Sequence, residues 1–255
     1  MPDVTSFSPG NFCWCELVTS DQNAAKSFYT QLFGWTADDQ EIGPDQFYTM
    51  LQLHGKNVGA LYGMSAEQMQ RLHSRWNLYV SVMSADESAK KAESLGAKIV
   101  MQPFDVMDVG RMATIQDPAG ATIMLWQAKQ HHGASVIDEP GALCWYELNV
   151  HDTEKAKEFY TSLFGWKAGG SAEYVEWING DKHIGGMMQI KPQWGEVPPS
   201  WMAYVMVSNC DETAEKAESL GGKLLTGPDD IPNMGRFAII KDPQGAVIAI
   251  YQTSR

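Results

Sequence analysis

The sequence predicts an α+β protein of four βαβββ modules, paired into two tandem domains. Three observations predict it: an internal repeat, two helix-period segments per copy that each stop at a glycine, and a DPxG turn before the last strand of each copy. Residues 10–35 (GNFCWCELVTSDQNAAKSFYTQLFGW) match 141–166 (GALCWYELNVHDTEKAKEFYTSLFGW) at 15 of 26 positions, at an offset of 131. Residues 76–100 match 201–225 at 14 of 25 positions, and GRMATIQDPAGATIMLWQ from Gly110 pairs with GRFAIIKDPQGAVIAIYQ from Gly235, both at an offset of 125. Such self-similarity marks repeated structural units. The change of offset means that the second copy lacks six residues between its first and second blocks. The expected domains are 1–127 and 141–255, with a polar linker over 128–140 that ends in Pro140.

The elements follow in order. Cys13–Thr19 is rich in aromatic and β-compatible residues and reads as a strand. Asp21 is a good N-cap, because its carboxylate accepts free amide hydrogens of a first helical turn. Ala25, Phe28, Tyr29, Leu32 and Phe33 then recur at helical spacing, and Gly34 suits a left-handed stop. Three short strands follow, from Trp35 onward, over Gln46–Leu53 and over Val58–Tyr62. Asn77–Val82 opens the second module, Asp86–Leu95 is its helix, closed by Gly96, and three more strands complete it. The turns at Asp117–Gly120 and Asp242–Gly245 join the last two strands of each copy.

Composition narrows the function. Lys and Arg number 19 against 31 Asp and Glu, a net charge of −12, which disfavours nucleic acid and anionic lipid as partners. No apolar run approaches the roughly 20 residues of a membrane span. The start, Met1-Pro2-Asp3-Val4, has neither the basic nor the apolar part of a secretory signal, so a cytoplasmic protein is expected. Four cysteines make no disulfide framework. Cys13 and Cys144 are expected under a helix as small buried hydrophobes, and Cys210, beside Asp211, as the more exposed thiol.

A first strand ending in Ser/Asp, a helix ending in FYxxLFGW and a last strand after DPxG together resemble the vicinal oxygen chelate superfamily, which includes glyoxalase I, bleomycin-resistance proteins and extradiol dioxygenases. The resemblance covers essentially the whole chain, and WxELxxxDxxxAxxFYxxLFGW is similar to the two-domain bacterial glyoxalase-like branch. It implies two glyoxalase-like domains, each a curled mixed sheet around a cleft with helices outside. The superfamily spans lyases, isomerases, oxygenases and binding proteins, so fold alone assigns no activity.

The resemblance also implies where metal ligands would stand, on the first and last strands of the modules, facing the cleft. On the first strand Trp14, Glu16 and Val18 share one face and Cys13, Cys15 and Leu17 the other. The ligand positions fall on Trp14 and Trp145, Asn77 and Met202, Met124 and Ala249, with glycine-rich Gly59-Ala60-Leu61 and Gly185-Gly186-Met187 on the strands that close the first modules. No metal or other cofactor is therefore expected; the alternative is a divalent metal in an unusual set that includes Glu16 or Glu147. His183 has no counterpart in the first copy, which carries Asn57 there, and His131-His132 is expected on a solvated linker surface.

Parity places Trp14, Glu16, Asn77, Tyr79, Met124 and Trp126 around the first cleft, and Trp145, Glu147, Met202, Tyr204, Ala249 and Tyr251 around the second. Aromatic walls with a few polar tips suit a small, partly aromatic or apolar ligand, though the same side chains also serve as plain core. A carboxylate amid aromatic strands must be paired, protonated or wet. Arg111 and Arg236, each opening the strand before DPxG, are the expected partners of Glu16 and Glu147. Either the pairs are structural, or the carboxylates accept a ligand donor or act as general bases. Residues 64–73 (MSAEQMQRLH) read as an extra turn beside the first cleft, a lid or an ordinary connection. The expected function is binding of a small molecule without metal, by a monomer or homodimer. The alternative is a glyoxalase-like lyase or a hydroxylase/dioxygenase. Ala249 in place of Met124 is expected to leave the second cleft locally roomier, so if only one site binds, the second domain is the expected one.

Overall fold

Asp21 accepts the amide hydrogen of Ala24 at 3.0 Å and Gly34 takes φ 71°, so the first helix starts and stops where its sequence signals stand. The computed structural model describes residues 3–171 and 173–254; Met1 and Pro2 of the terminus read above, Ala172 and Arg255 lie outside the described residues. The first half runs β1 (Phe12–Thr19), α1 (Gln22–Phe33), β2 (Thr36–Gly43), β3 (Gln46–Leu53), β4 (Lys56–Gly63), α2 (Ala66–Met69), β5 (Arg75–Ser81), α3 (Ala85–Ser94), β6 (Lys98–Val106), β7 (Gly110–Gln116) and β8 (Thr122–Ala128). The second runs β9 (Leu143–Val150), α4 (Thr153–Phe164), β10 (Lys167–Gly170), β11 (Val175–Asn179), β12 (Lys182–Gln189), β13 (Ser200–Met206), α5 (Cys210–Ser219), β14 (Lys223–Ile231), β15 (Gly235–Lys241) and β16 (Val247–Thr253). The 64–73 segment forms only the short α2, held by a Ser65–Gln68 capping box.

Each half is one eight-stranded mixed sheet, in the orders β2-β3-β4-β1-β5-β8-β7-β6 and β10-β11-β12-β9-β13-β16-β15-β14, neither of them closed into a barrel. Two βαβββ modules join where β1 meets β5, and β9 meets β13, antiparallel. Within each module the first and last strands pair in parallel, as β1 with β4 and β5 with β8. The class is α+β, with tandem domains of one design.

The helices pack on the sheet faces away from the clefts, and those two faces pack on each other. One apolar cluster runs through both halves, from Leu17, Tyr29 and Leu78 to Leu148, Tyr160 and Ile248. Phe12 stacks on Tyr146 across the join, ring centroids 4.1 Å apart. Trp35 donates its indole N–H to the carbonyl of Gly141 at 2.7 Å, and Trp166 donates to that of Gly10 at 2.8 Å. Lys91 reaches the last-turn carbonyl of Leu163 at 2.9 Å, a cation at the negative end of α4.

Candidate functional site

Strand alternation and register assemble both clefts from the side chains that parity selects. Trp14 lies opposite Tyr79 and Glu16 opposite Asn77, while Tyr79 stands beside Met124. In the second sheet Trp145 lies opposite Tyr204, Glu147 opposite Met202, and Tyr204 beside Ala249. Directly paired residues share a face.

At the centre of each cleft is a buried carboxylate held by phenols. Tyr79 donates to Glu16 Oε1 at 2.5 Å, Tyr48 to Oε2 at 2.9 Å, and Asn77 Nδ2 to Oε1 at 3.5 Å. Trp14 donates its indole N–H to the Tyr48 oxygen at 3.0 Å, so indole, phenol and carboxylate form a chain. The second cleft repeats this: Tyr204 and Tyr174 each donate to Glu147 at 3.1 Å, and Trp145 donates to Tyr174 at 2.8 Å. Here the third donor is Asn149, on the same strand as Glu147, at 3.5 Å, and Met202 takes the place of Asn77. Gly186 makes room: a Cβ there would stand 2.1 Å from the Tyr174 hydroxyl.

Burial pushes both carboxyls above the usual glutamate range, and the donated hydrogen bonds pull them back part of the way. The phenols of Tyr79, Tyr48 and Tyr204 are pushed well up by burial and the nearby carboxylate, so they remain neutral donors. The arrangement can hold a ligand polar group or move a proton at a carboxylate oxygen.

Several sequence expectations are corrected. Arg111 and Arg236 do not pair with Glu16 and Glu147. Met112, not Arg111, is in register with cleft-facing Trp126, so Arg111 projects from the opposite face. There it forms a bidentate pair with Asp86 at the start of α3, at 2.6 and 2.8 Å, as Arg236 does with Asp211 of α5, at 2.8 and 2.8 Å. The partners of Glu16 and Glu147 are phenols and amides, and of the four phenols two, Tyr48 and Tyr174, were missed. Their signal was present, a tyrosine in the third strand of the first copy, at Tyr48, and one just before the third strand of the second, at Tyr174. Cys13 sits at a bulge in β1 and packs with the cleft cluster, and Cys144 likewise, not under helices. Cys210 is fully buried, and its thiol is pushed up to about 11.

His131 is no solvated linker residue either. Its ring lies edge-on to Trp14 with centroids 4.5 Å apart, and its carbonyl accepts the Trp126 indole N–H at 3.0 Å. The linker thus folds back over the first cleft, where the Ala134 amide donates to the carbonyl of Cys13 at 2.8 Å. Trp14 and Trp126 are buried as a result, whereas Trp145 and Tyr251 stay part-exposed in the second cleft. Arg75, in register with Val18, adds a positive charge beside Glu16, and its counterpart in the second cleft is Ser200, opposite Asn149.

A metal centre on these strands would need several imidazole or carboxylate donors facing one point. Among the described residues no three His, Cys, Asp or Glu side chains gather as a possible metal group. A single buried carboxylate at the centre of each cleft, tied to two phenols and an amide, supplies too few donors for a divalent ion.

Comparison with known proteins agrees with this architecture. A family model described as the Glyoxalase/Bleomycin resistance protein/Dioxygenase superfamily matches residues 12–125 and again 130–250. A Mycobacterium tuberculosis protein named glyoxylase CFP32, a name that marks the activity as provisional, is 38% identical over 98% of this chain and 97% of its own. The anthracycline biosynthesis protein DnrV of Streptomyces peucetius is 33% identical over 98% of this chain and 95% of its own. In fold, the chain is similar to the Mn(II)-bound glyoxalase from Novosphingobium aromaticivorans, with a TM-score of 0.68 at 16% identity over 96% of this chain and 82% of the other. It is also similar to the 2,3-dioxygenase LapB from Pseudomonas sp. KL28, with a TM-score of 0.66 at 11% identity over 100% and 94%.

Proposed function

Because the chain belongs to the Glyoxalase/Bleomycin resistance protein/Dioxygenase superfamily, whose members bind small molecules, we propose that it is a cytoplasmic small-molecule-binding protein whose second cleft takes a ligand without a divalent metal. One observation carries the reading: in both clefts the buried central carboxylate is held by two phenols and an amide, where a metal centre needs several free imidazole or carboxylate donors. The openness of the second cleft supports the choice between the two, since Trp145 and Tyr251 offer aromatic surface to a ligand.

In this reading Glu147 has two tasks. It accepts a hydrogen bond from the ligand, and Tyr174 and Tyr204 hold it in one rotamer. Its raised affinity for a proton also favours a second reading, general acid–base chemistry on a bound carbonyl compound, with Glu147 as base.

The test is native mass spectrometry of protein purified with neither chelator nor added metal. The expected result is a chain free of divalent ion that carries or takes up an organic molecule, with uptake weakened in Glu147→Gln. One divalent ion per domain would overturn the proposal.

A further inference from the structure

The two clefts are twins with different covers, and the cover of the first shows what fits such a cleft. Three residues lie beneath the linker there. The carbonyl of Cys13, at the bulge of β1, accepts the Ala134 amide at 2.8 Å. The His131 ring stands edge-on to Trp14, with centroids 4.5 Å apart and planes at 84°, and lies 5.9 Å from the ring of Trp126. Cys13, Trp14 and Trp126 are buried beneath it. Gly133 lets the linker come this close: it takes φ 120°, and a Cβ there would collide with the Cys13 carbonyl oxygen.

The repeat offsets carry this footprint to Cys144, Trp145 and Tyr251, and all three are part-exposed. Cys144 occupies the matching bulge, between Leu143 in register with Val205 and Trp145 in register with Tyr204. Among the described residues no loop amide reaches its carbonyl. Another anchor of the linker, the Val109 carbonyl that accepts the His131 amide at 3.0 Å, is already used in the second copy. Its equivalent, the Met234 carbonyl, takes the Ser254 amide at 2.8 Å and the Tyr251 hydroxyl at 2.7 Å. What stays uncovered is one aromatic seat and one main-chain acceptor, the two that His131 and Ala134 fill in the first cleft.

We propose that the second cleft takes a neutral aromatic ring joined to an amide N–H, the ring edge-on to Trp145 and the N–H donated to the carbonyl of Cys144. This names the ligand class for the reading that the second cleft binds a small molecule, and rests on it. The linker is a built-in ligand of that class, so the first cleft does not compete. Burial depresses the His131 pKa to about 4, so the ring that the first cleft holds is uncharged. An edge-to-face ring contact and a single hydrogen bond are each modest, so recognition needs both.

The test is a nuclear magnetic resonance titration of the nitrogen-15-labelled full chain, which reads the indole N–H signals of Trp145 and Trp14 separately. The probe is N-acetylhistamine at about pH 8.5, where its imidazole is neutral. Its controls are N-butylacetamide, which lacks the ring, and the N-methylated amide, which lacks the N–H. N-acetylhistamine is expected to move the Trp145 signal and leave that of Trp14 in place, with each control binding about fivefold more weakly. In Gly133→Val, whose linker is displaced, both indole signals should move; the wild-type series carries the test if that variant fails to fold. Equal affinity of the three compounds at Trp145 would overturn the ligand class and leave the cleft-binding reading standing. A Trp14 signal that stays in place in folded Gly133→Val would break the equivalence of the two clefts and overturn the proposal. No movement of Trp145 at about 20 mM N-acetylhistamine would overturn it too. The cleft-binding reading would then stand if the same preparation carries an organic molecule in native mass spectrometry, and would fall if it carries none.

Discussion

Tyr29 donates its phenolic hydrogen to Oδ2 of Asp242 at 2.8 Å, linking helix α1 of the first domain to the last turn of the second. Trp76 donates its indole N–H to the same phenol oxygen at 3.0 Å. Tyr160 repeats the relation with Asp117 at 2.7 Å, and Trp201 donates to it at 2.8 Å. The two motifs that define the repeat, FYxxLFGW and DPxG, therefore meet each other across the interface. Burial pushes both aspartates above their usual range, and amide hydrogens from their own turns, such as those of Ala121 and Ala246, hold them in place.

Removing the Tyr29 hydroxyl leaves a buried carboxylate oxygen and a buried indole N–H each short of a partner. Tyr29→Phe should cost about 1–3 kcal/mol of stability in urea unfolding, and Tyr160→Phe a similar amount. A loss near zero in both would mean that the interface is held by its apolar contacts alone.

His131 sets an acid limit on the linker. Burial depresses its pKa from 6.5 to about 4, so the unfolded chain takes up the proton first. Its contribution is fully present above about 6.5 and is lost as the pH falls towards 4, at most about 3 kcal/mol. Glu16 and Glu147, pushed upward, act with the opposite sign, their burial cost easing as they protonate. His131→Gln should therefore lose less stability than the wild type between pH 6.5 and 4.5. Identical pH profiles would remove His131 from this role.

Gly186→Ala tests the seat of Tyr174. The new Cβ would displace the hydroxyl, breaking its bonds to Glu147 and Trp145 together. A cost of about 1–3 kcal/mol is expected, with a shift in Trp145 fluorescence. The first cleft tolerates Ala60 at the matching position, so Ala60→Gly should leave its spectrum unchanged.

All four cysteines are free, and three are buried, so a thiol reagent should label the native protein slowly. Part-exposed Cys144 should react first and Cys210 no faster than Cys13. Rapid labelling of Cys210 would contradict its burial.

Much of the fold was legible because its determinants are local. Asp21 caps the first helix and Gly34 stops it where the sequence placed them, and Asp152 and Gly165, at the repeat offset of 131, do the same in the second copy. Alternation put Trp14 and Glu16 on one face, and the register kept them there. Cys13 broke the pattern because a bulge, which adds one residue to one strand, is invisible to a count of two. The reading of Arg111 failed on its face: the strand before DPxG was named without its register, which alone decides which side it serves.

The sequence by itself determined the repeat, the four modules, the helix ends and the shared face of Trp14 and Glu16 on the first strand, since caps, periods and turns act within a few residues. Only the tertiary structure decided that Tyr48 and Tyr174 hold the two glutamates, that the linker roofs one cleft and leaves the other open, and that the helices lie between the domains. Each of these brings together groups far apart in the chain, at spacings set by strand order and close packing. A buried carboxylate announces that it needs donors, and the folded sheet determines which side chains come within 3 Å to supply them.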